Sequence, residues 1–325
     1  LKTSFLNNKM NTTHLNNGIH QLTLASGVRL SFQSFGQDYL SAPVILVNHP
    51  LTGDSRVTGA FGWWNDLIGA GKSIDTRKFA IVSFNVPGNG FDGILIDDFE
   101  TWNAGTIASF FYEGLKLLGI GHLHTVIGGS LGAGIAWEMA ALFPNFITNL
   151  IPVGGDWKST DWMIANTFLQ KQILATNPKP LEIARMHAML CYRTPESFKL
   201  RFNRTVNEDL GVFNVESWLT HHGEKLTERF QLQAYKTMNH VLGSIDITRN
   251  GESFEDIIQS IKASIYIFSI DSDLFFPLSE DQETVRRAKE VGVTINHQTI
   301  HSDYGHDAFL MESEKVVPLL HPIFN

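Results

Sequence analysis

Four short runs in the first half of this chain are apolar almost from end to end, and each stops in a loop rich in Gly, Pro or Asn. They are VILVNHP from Val44, FAIVSFNVPGNG from Phe79, LHTVIGG from Leu123 and NLIPVGG from Asn149. A strand with one face in water alternates apolar and polar residues, whereas a strand buried on both faces has no polar side to show. Helical stretches lie between the runs, notably WNAGTIASFFYEGLKLLGI (Trp102 to Ile120) and LGAGIAWEMAALF (Leu131 to Phe143). Buried strands alternating with helices predict an α/β fold, a mainly parallel sheet flanked by helices. Ahead of them, IHQLTLASGVRLSFQSFG (Ile19 to Gly36) alternates around Ser26-Gly27 as a β-hairpin would.

The rhythm stops after Gly155. From about Trp157 to Leu242 the chain reads mostly as helix, with no clear strand. Strands resume at KASIYIFSI (Lys262 to Ile270) and VTINHQTI (Val293 to Ile300), and a final helix is expected from Asp307. The division that follows is a core of residues 1–156 and 243–325 with a helical lid, 157–242, inserted between strands. A lid in that place covers the carboxyl edge of the sheet, where open α/β sheets hold their ligands.

With 325 residues, 43% of them hydrophobic, the chain can bury a large core, and no repeat interrupts it. The formal net charge of −8 argues against nucleic acid or an anionic membrane as the main partner. A single cysteine, Cys191, rules out an internal disulfide, and neither paired cysteines nor an H-E-x-x-H motif offers a metal site. The Asn-rich opening LKTSFLNNKMNTTHLNNG is expected to fray. It lacks the apolar core of a secretory leader, and no run is long enough to span a bilayer, so a soluble cytoplasmic protein is expected.

Ser130 stands at the centre of Gly128-Gly129-Ser130-Leu131-Gly132, between an apolar run and a helix. This is the G-x-S-x-G pattern of a nucleophile elbow, in which a strained strand-to-helix turn lifts the hydroxyl above the sheet. The following helix N-terminus favours negative charge, and the Leu131 N–H is a natural oxyanion donor. A serine needs a base and the base needs a carboxylate, which in the α/β-hydrolase order Ser, Asp, His both follow the nucleophile. SIDSDLFFP (Ser269 to Pro277) offers Asp271 or Asp273 at the end of one strand. HSDYGHDAF (His301 to Phe309) offers His301 or His306 after the next, and His306 is preferred because His301 is nearer the strand end. The second oxyanion donor is expected from NHPLTGDS, with the Leu51 N–H in that role.

Four segments, HPLTGDSRVTG with GWWNDLIGAGKSIDT, GGSLGAG, ESWLTHHGEKLTERFQLQAYKTMNHVLGSID and DYGHDAFLMES, together resemble the homoserine O-acetyltransferases of the α/β-hydrolase superfamily. The resemblance runs from about Ile19 to the C-terminus. It implies an acyl-enzyme on Ser130, His306 as base and acid, and Asp273 as its orienter. It also implies that Arg185 and Tyr192, in ARMHAMLCY, and Asp307 bind the amino acid substrate, and that the lid helices form a homodimer. An arginine can pair with the substrate carboxylate and an aspartate with its ammonium. Two departures fall near the acyl pocket: Leu131 and Ala133 replace the family's Met and Gly, and the segment after NVPGNG is shorter than usual. The implied reaction moves an acetyl group from acetyl-CoA, a co-substrate, to L-homoserine in methionine biosynthesis, with no permanent cofactor. An acyltransferase using L-serine or succinyl-CoA, and an esterase of the same fold, are the alternatives.

Overall fold

The computed structural model describes residues 18–324, so most of the Asn-rich opening, and Asn325, lie outside the described residues. Eight strands make one sheet: β1 (His20–Thr23), β2 (Arg29–Gly36), β3 (Val44–Asn48), β4 (Ala80–Phe84), β5 (Leu123–Gly129), β6 (Ile147–Val153), β7 (Ser264–Ile270) and β8 (Ile295–Ile300). Their spatial order is β1-β2-β4-β3-β5-β6-β7-β8. The expected hairpin β1–β2 is antiparallel, β2 joins β4 antiparallel, and every later pairing is parallel. This is an α/β-hydrolase fold. Successive residues of a strand point to opposite faces. Leu46 and Val126 therefore enter a core with Phe84, Phe111 and Trp137, while Val47 and Ile127 enter a second one with Trp64, Phe268 and Phe309. Both faces are buried, which is why the strands read as unbroken apolar runs.

The first long helix, α1 (Ala104–Leu117), starts where Asn103 caps it: the Asn103 side chain accepts from the Thr106 amide at 2.9 Å, and the Thr106 hydroxyl accepts from the Asn103 amide at 3.3 Å. Helix α2 (Leu131–Leu142) is buried on every side from Leu131 to Ala140. Its Gly132 lets it lie close against β3, at Asn48, and its Gly134 makes room for Ile245. Between β6 and β7 run α3 (Asp161–Thr176), α4 (Pro180–Tyr192), α5 (Pro195–Phe202), α6 (Asn214–Thr227) and α7 (Leu232–Gly243), followed by α8 (Phe254–Ser260). The helical reading of 157–242 omitted one feature, a two-residue antiparallel bridge of Val206–Asn207 with Val212–Phe213. Gly211, at φ 65°, closes that turn, and its amide donates to the Asn207 carbonyl at 2.9 Å.

Helix α9 (Leu278–Glu290) links β7 to β8. The single final helix expected from Asp307 is instead a 3-10 turn at Gly305–Asp307, then α10 (Ala308–Met311) and α11 (Ser313–Phe324). The break falls at Glu312, which leaves helical geometry (φ −118°, ψ 58°) while its carboxylate takes the Ser302 hydroxyl and the Lys315 ammonium. No helix among the described residues is long and apolar enough to cross a membrane.

Candidate active site

Strand β5 ends at Gly129 and α2 begins at Leu131, so Ser130 makes the turn by itself, at φ 57° and ψ −123°. A side-chain-bearing residue in such a region costs about 1–3 kcal/mol and persists only where its surroundings hold it. Here the Ser130 amide donates to the Val153 carbonyl of β6 at 2.9 Å, and its carbonyl accepts from Ala133 at 2.9 Å. The flanking glycines are required by contact. A Cβ on Gly128 would lie 2.3 Å from the Gly132 carbonyl, and one on Gly132 would lie 2.3 Å from the Asn48 carbonyl of β3. The pentapeptide is the place where strand and helix touch.

The loops after β7 and β8 bring a carboxylate and an imidazole to this hydroxyl. His306 Nε2 is 2.8 Å from Ser130 Oγ, and His306 Nδ1 is 2.6 Å from Asp273 Oδ2. The other Asp273 oxygen accepts the amides of Phe275 at 2.7 Å and Phe276 at 2.9 Å, which fixes the carboxylate before the histidine arrives. With Asp273 accepting at Nδ1, the neutral imidazole carries its proton there and presents a lone pair to the serine hydroxyl. The rings of Tyr192, Phe275, Phe276 and Phe309 surround His306 at centroid separations of 5.3–5.5 Å and keep it from water. The alternative residues pair with one another instead. His301 Nδ1 lies 2.7 Å from Asp271 Oδ2, with the His301 side chain 81% exposed.

Ser130 and His306 open into a cavity of about 310 Å³, also lined by Leu51, Arg185, Tyr192 and Asp307. Among the described residues, neither the Leu51 amide nor the Leu131 amide has an acceptor. Unsatisfied N–H groups beside a reacting hydroxyl are what an oxyanion hole requires. The loop bearing Leu51 is held by His49, fully buried, whose Nδ1 donates to the Pro50 carbonyl at 2.8 Å while Nε2 accepts from the Val86 amide at 3.0 Å. Burial pushes the His49 pKa down, so this imidazole stays neutral and structural.

Helix α4 delivers Arg185 and Tyr192, and the turn that carries His306 delivers Asp307. Arg185 makes no hydrogen bond and no ion pair among the described residues, and its guanidinium carbon lies 5.6 Å from the Tyr192 ring centre. Burial pushes the Tyr192 phenol well above its usual range, so it is a hydroxyl at any physiological pH. Asp307 also lines the cavity, but one of its oxygens is 3.2 Å from Arg193 Nε. Burial raises its pKa, partly countered by Arg185, Arg193 and His306. The sequence reading missed Arg229, which lines the same cavity and donates to the Thr52 carbonyl at 2.9 Å. Nothing in TERF distinguishes it from a solvated turn residue; only the docking of the α6–α7 turn onto residues 50–53 brings it there.

The profile of the alpha/beta hydrolase fold family matches residues 43–313. The homoserine O-acetyltransferase of Symbiobacterium thermophilum is 32% identical to this chain, over 90% of this chain and 88% of its own. That of Chlorobaculum tepidum is 31% identical, over 89% and 87% respectively. Among solved structures, the homoserine O-acetyltransferase from Bacillus anthracis superposes with a TM-score of 0.84 at 18% identity, over 95% of this chain and 96% of that one. Esterase E22 superposes with a TM-score of 0.82 at 18% identity, over 94% and 97%. At such identities the superpositions speak for the fold alone.

Proposed function

The chain belongs to the alpha/beta hydrolase fold family and, within it, to the homoserine O-acetyltransferases, and from that premise we propose that it transfers an acetyl group from acetyl-CoA to the hydroxyl of L-homoserine, a step of methionine biosynthesis. The observation that carries the reading is the unbroken relay Asp273–His306–Ser130 opening into a cavity with an unpaired arginine and a carboxylate. An esterase needs the relay. It has no need of an arginine and an aspartate lining the same cavity as the serine.

In the proposed mechanism His306 Nε2 takes the Ser130 proton as Oγ attacks the thioester carbon. The Leu51 and Leu131 amides receive the developing oxyanion, and the strained turn keeps Oγ clear of the sheet. When the C–S bond breaks, His306 returns the proton to the departing thiolate, so CoA leaves as a thiol and the acetyl group remains on Ser130. Homoserine then binds with its carboxylate on Arg185 and its ammonium on Asp307, Tyr192 packing beside them. His306 deprotonates its hydroxyl, which attacks the ester, and the proton passes back to Ser130 as O-acetylhomoserine forms. Water is the competing nucleophile. We assign to helices α3–α7 the role of a lid that narrows its access, while the acceptor's charged ends supply binding energy that water lacks. No permanent cofactor enters this scheme. We further propose a cytoplasmic homodimer joined through the lid helices, where Trp162, Ile164 and Phe168 of α3 expose large apolar side chains.

The test is CoA release from acetyl-CoA with and without acceptor. Release is slow in buffer, rises strongly with L-homoserine, and yields an equal amount of O-acetylhomoserine; without acceptor, intact mass spectrometry finds one acetyl group, absent in Ser130→Ala. L-Serine and succinyl-CoA are run alongside because Leu131 and Ala133 depart from the family pattern. Rapid turnover of simple esters with no response to any amino alcohol defeats the proposal.

A further inference from the structure

We infer that Arg193 is a positioning residue of the acceptor site, keeping Asp307 an oriented carboxylate for the substrate ammonium without touching substrate itself. The inference rests on the reading of Asp307 given above. Arg193 is the residue after α4, and it is 7% exposed. Its Nε lies 3.2 Å from Asp307 Oδ2, which leaves the other carboxylate oxygen for a ligand. Asp307 lines the cavity of Ser130, whereas Arg193 lines a separate one of about 290 Å³. In that second cavity its guanidinium carbon sits 5.1 Å from the Tyr304 ring centre and 6.0 Å from that of Trp218. Arg193 is thus a wall between the two spaces, packed on one side by rings and held on the other by Asp307.

Both ends of the pair are anchored. The Thr194 hydroxyl donates to the Asp303 carbonyl, and a Cβ on Gly305 would lie 2.8 Å from the Tyr192 carbonyl, so the end of α4 and the His306 loop are in direct contact. The groups facing Asp307 are Arg185 and Tyr192 from α4, Arg193 after it, His306 on its own loop and Asp273 from the loop after β7. Burial favours the neutral acid, which cannot attract an ammonium ion. Once the acceptor's carboxylate occupies Arg185, that charge is compensated from outside, and Arg193 is the standing counter-charge left to Asp307. Arg193 Nη1 is buried without a partner among the described residues. Among the described residues the guanidinium has Asp307 as its ion-pair partner and joins no side-chain hydrogen-bond network.

The experiment measures kcat/KM for acetyl-CoA and for homoserine from pH 6 to 9. In a ping-pong scheme these report the acylation and acceptor half-reactions separately. Losing a close opposite charge raises a carboxyl pKa by about 1–3 units. Arg193→Met therefore lowers kcat/KM for homoserine at pH 7 on the order of 10-fold or more, while acylation stays within about threefold of wild type. The wild-type to variant ratio falls toward one as pH rises and Asp307 ionises unaided. Arg193→Lys, which keeps the charge and loses the planar fork, falls between. Placed on Asp307→Asn, Arg193→Met adds less than about threefold, because the two act as one unit. A ratio that is flat with pH, an equal loss in acylation, or full additivity on Asp307→Asn makes Arg193 structural only and overturns the inference. If Asp307→Asn alone leaves kcat/KM for homoserine unchanged, the Asp307 reading fails and the inference falls with it.

Discussion

Asp273→Asn exchanges one oxygen for an NH₂ group, and the structure says which way that amide must point. Oδ1 of Asp273 accepts two backbone amides, from Phe275 and Phe276, so the asparagine oxygen is held there and its NH₂ faces His306 Nδ1 across 2.6 Å. Two donors then oppose each other. The imidazole escapes by moving its proton to Nε2, where it faces Ser130 and can no longer act as a base. Holding the productive tautomer instead leaves two buried donors unpaired, at about 1–3 kcal/mol each, and forfeits a charged hydrogen bond of about 1.5–3 kcal/mol. The sum, about 3.5–9 kcal/mol, brackets the roughly 5.5 kcal/mol that corresponds to 10⁴ in rate. The same substitution in another Ser-His-Asp enzyme costs about 10⁴ in kcat. The assay is thiol release in the first turnover with acetyl-CoA, with thermal unfolding as the check on folding. Asp271→Asn is the control, since Asp271 is paired with the exposed His301, and it should change the rate by less than about threefold. A loss below about 10-fold for Asp273→Asn, or a larger loss for Asp271→Asn, refutes the tautomer argument.

Arg185→Ala should lower kcat/KM for homoserine by about 10- to 100-fold, the scale of a lost charge-assisted contact, with the loss concentrated in that half-reaction; equal damage to kcat/KM for acetyl-CoA would give Arg185 a structural role. Gly132→Ala would drive a Cβ to 2.3 Å from the Asn48 carbonyl, and is expected to cost about 1–3 kcal/mol or more in urea unfolding together with loss of Ser130 acylation; an unperturbed midpoint would show that α2 can move away from β3. Asp156 is buried beside Asp281, one of its oxygens lacks a partner among the described residues, and burial raises its pKa to about 7. Because the folded pKa lies above the unfolded value, its contribution to stability is complete below about pH 4 and is lost as pH rises through about 7. Asp156→Asn, neutral throughout, should therefore gain on the wild type between pH 5 and pH 8, read as a flatter dependence of Tm on pH; a parallel dependence would mean that Asp156 does not titrate there.

The strands could be read locally because burial on both faces leaves its mark residue by residue: Leu46 and Val47 enter different cores, so neither position can be polar. The elbow was legible for a similar reason, since the contacts that exclude a Cβ at Gly128 and Gly132 lie within or beside the pentapeptide itself. The choice between Asp271 and Asp273 was different. Both sit at the end of β7, two residues apart, beside histidines of equal chemistry, and only their surroundings separate them. The chain turns after Ile270, so Asp271 meets the Ser302 amide and His301 at the surface, while Asp273 is carried inward onto the amides of Phe275 and Phe276. Sequence signals were weakest where a residue's partner lies far along the chain. Arg229 and Thr52 are 177 positions apart, and Arg193 meets Asp307 only because the end of α4 lies against the His306 loop. An arginine on a helix or turn looks the same whether it faces solvent or a carboxylate, because its charge is compatible with both; the packing of α4 against the His306 loop and of the α6–α7 turn onto Thr52 decides which.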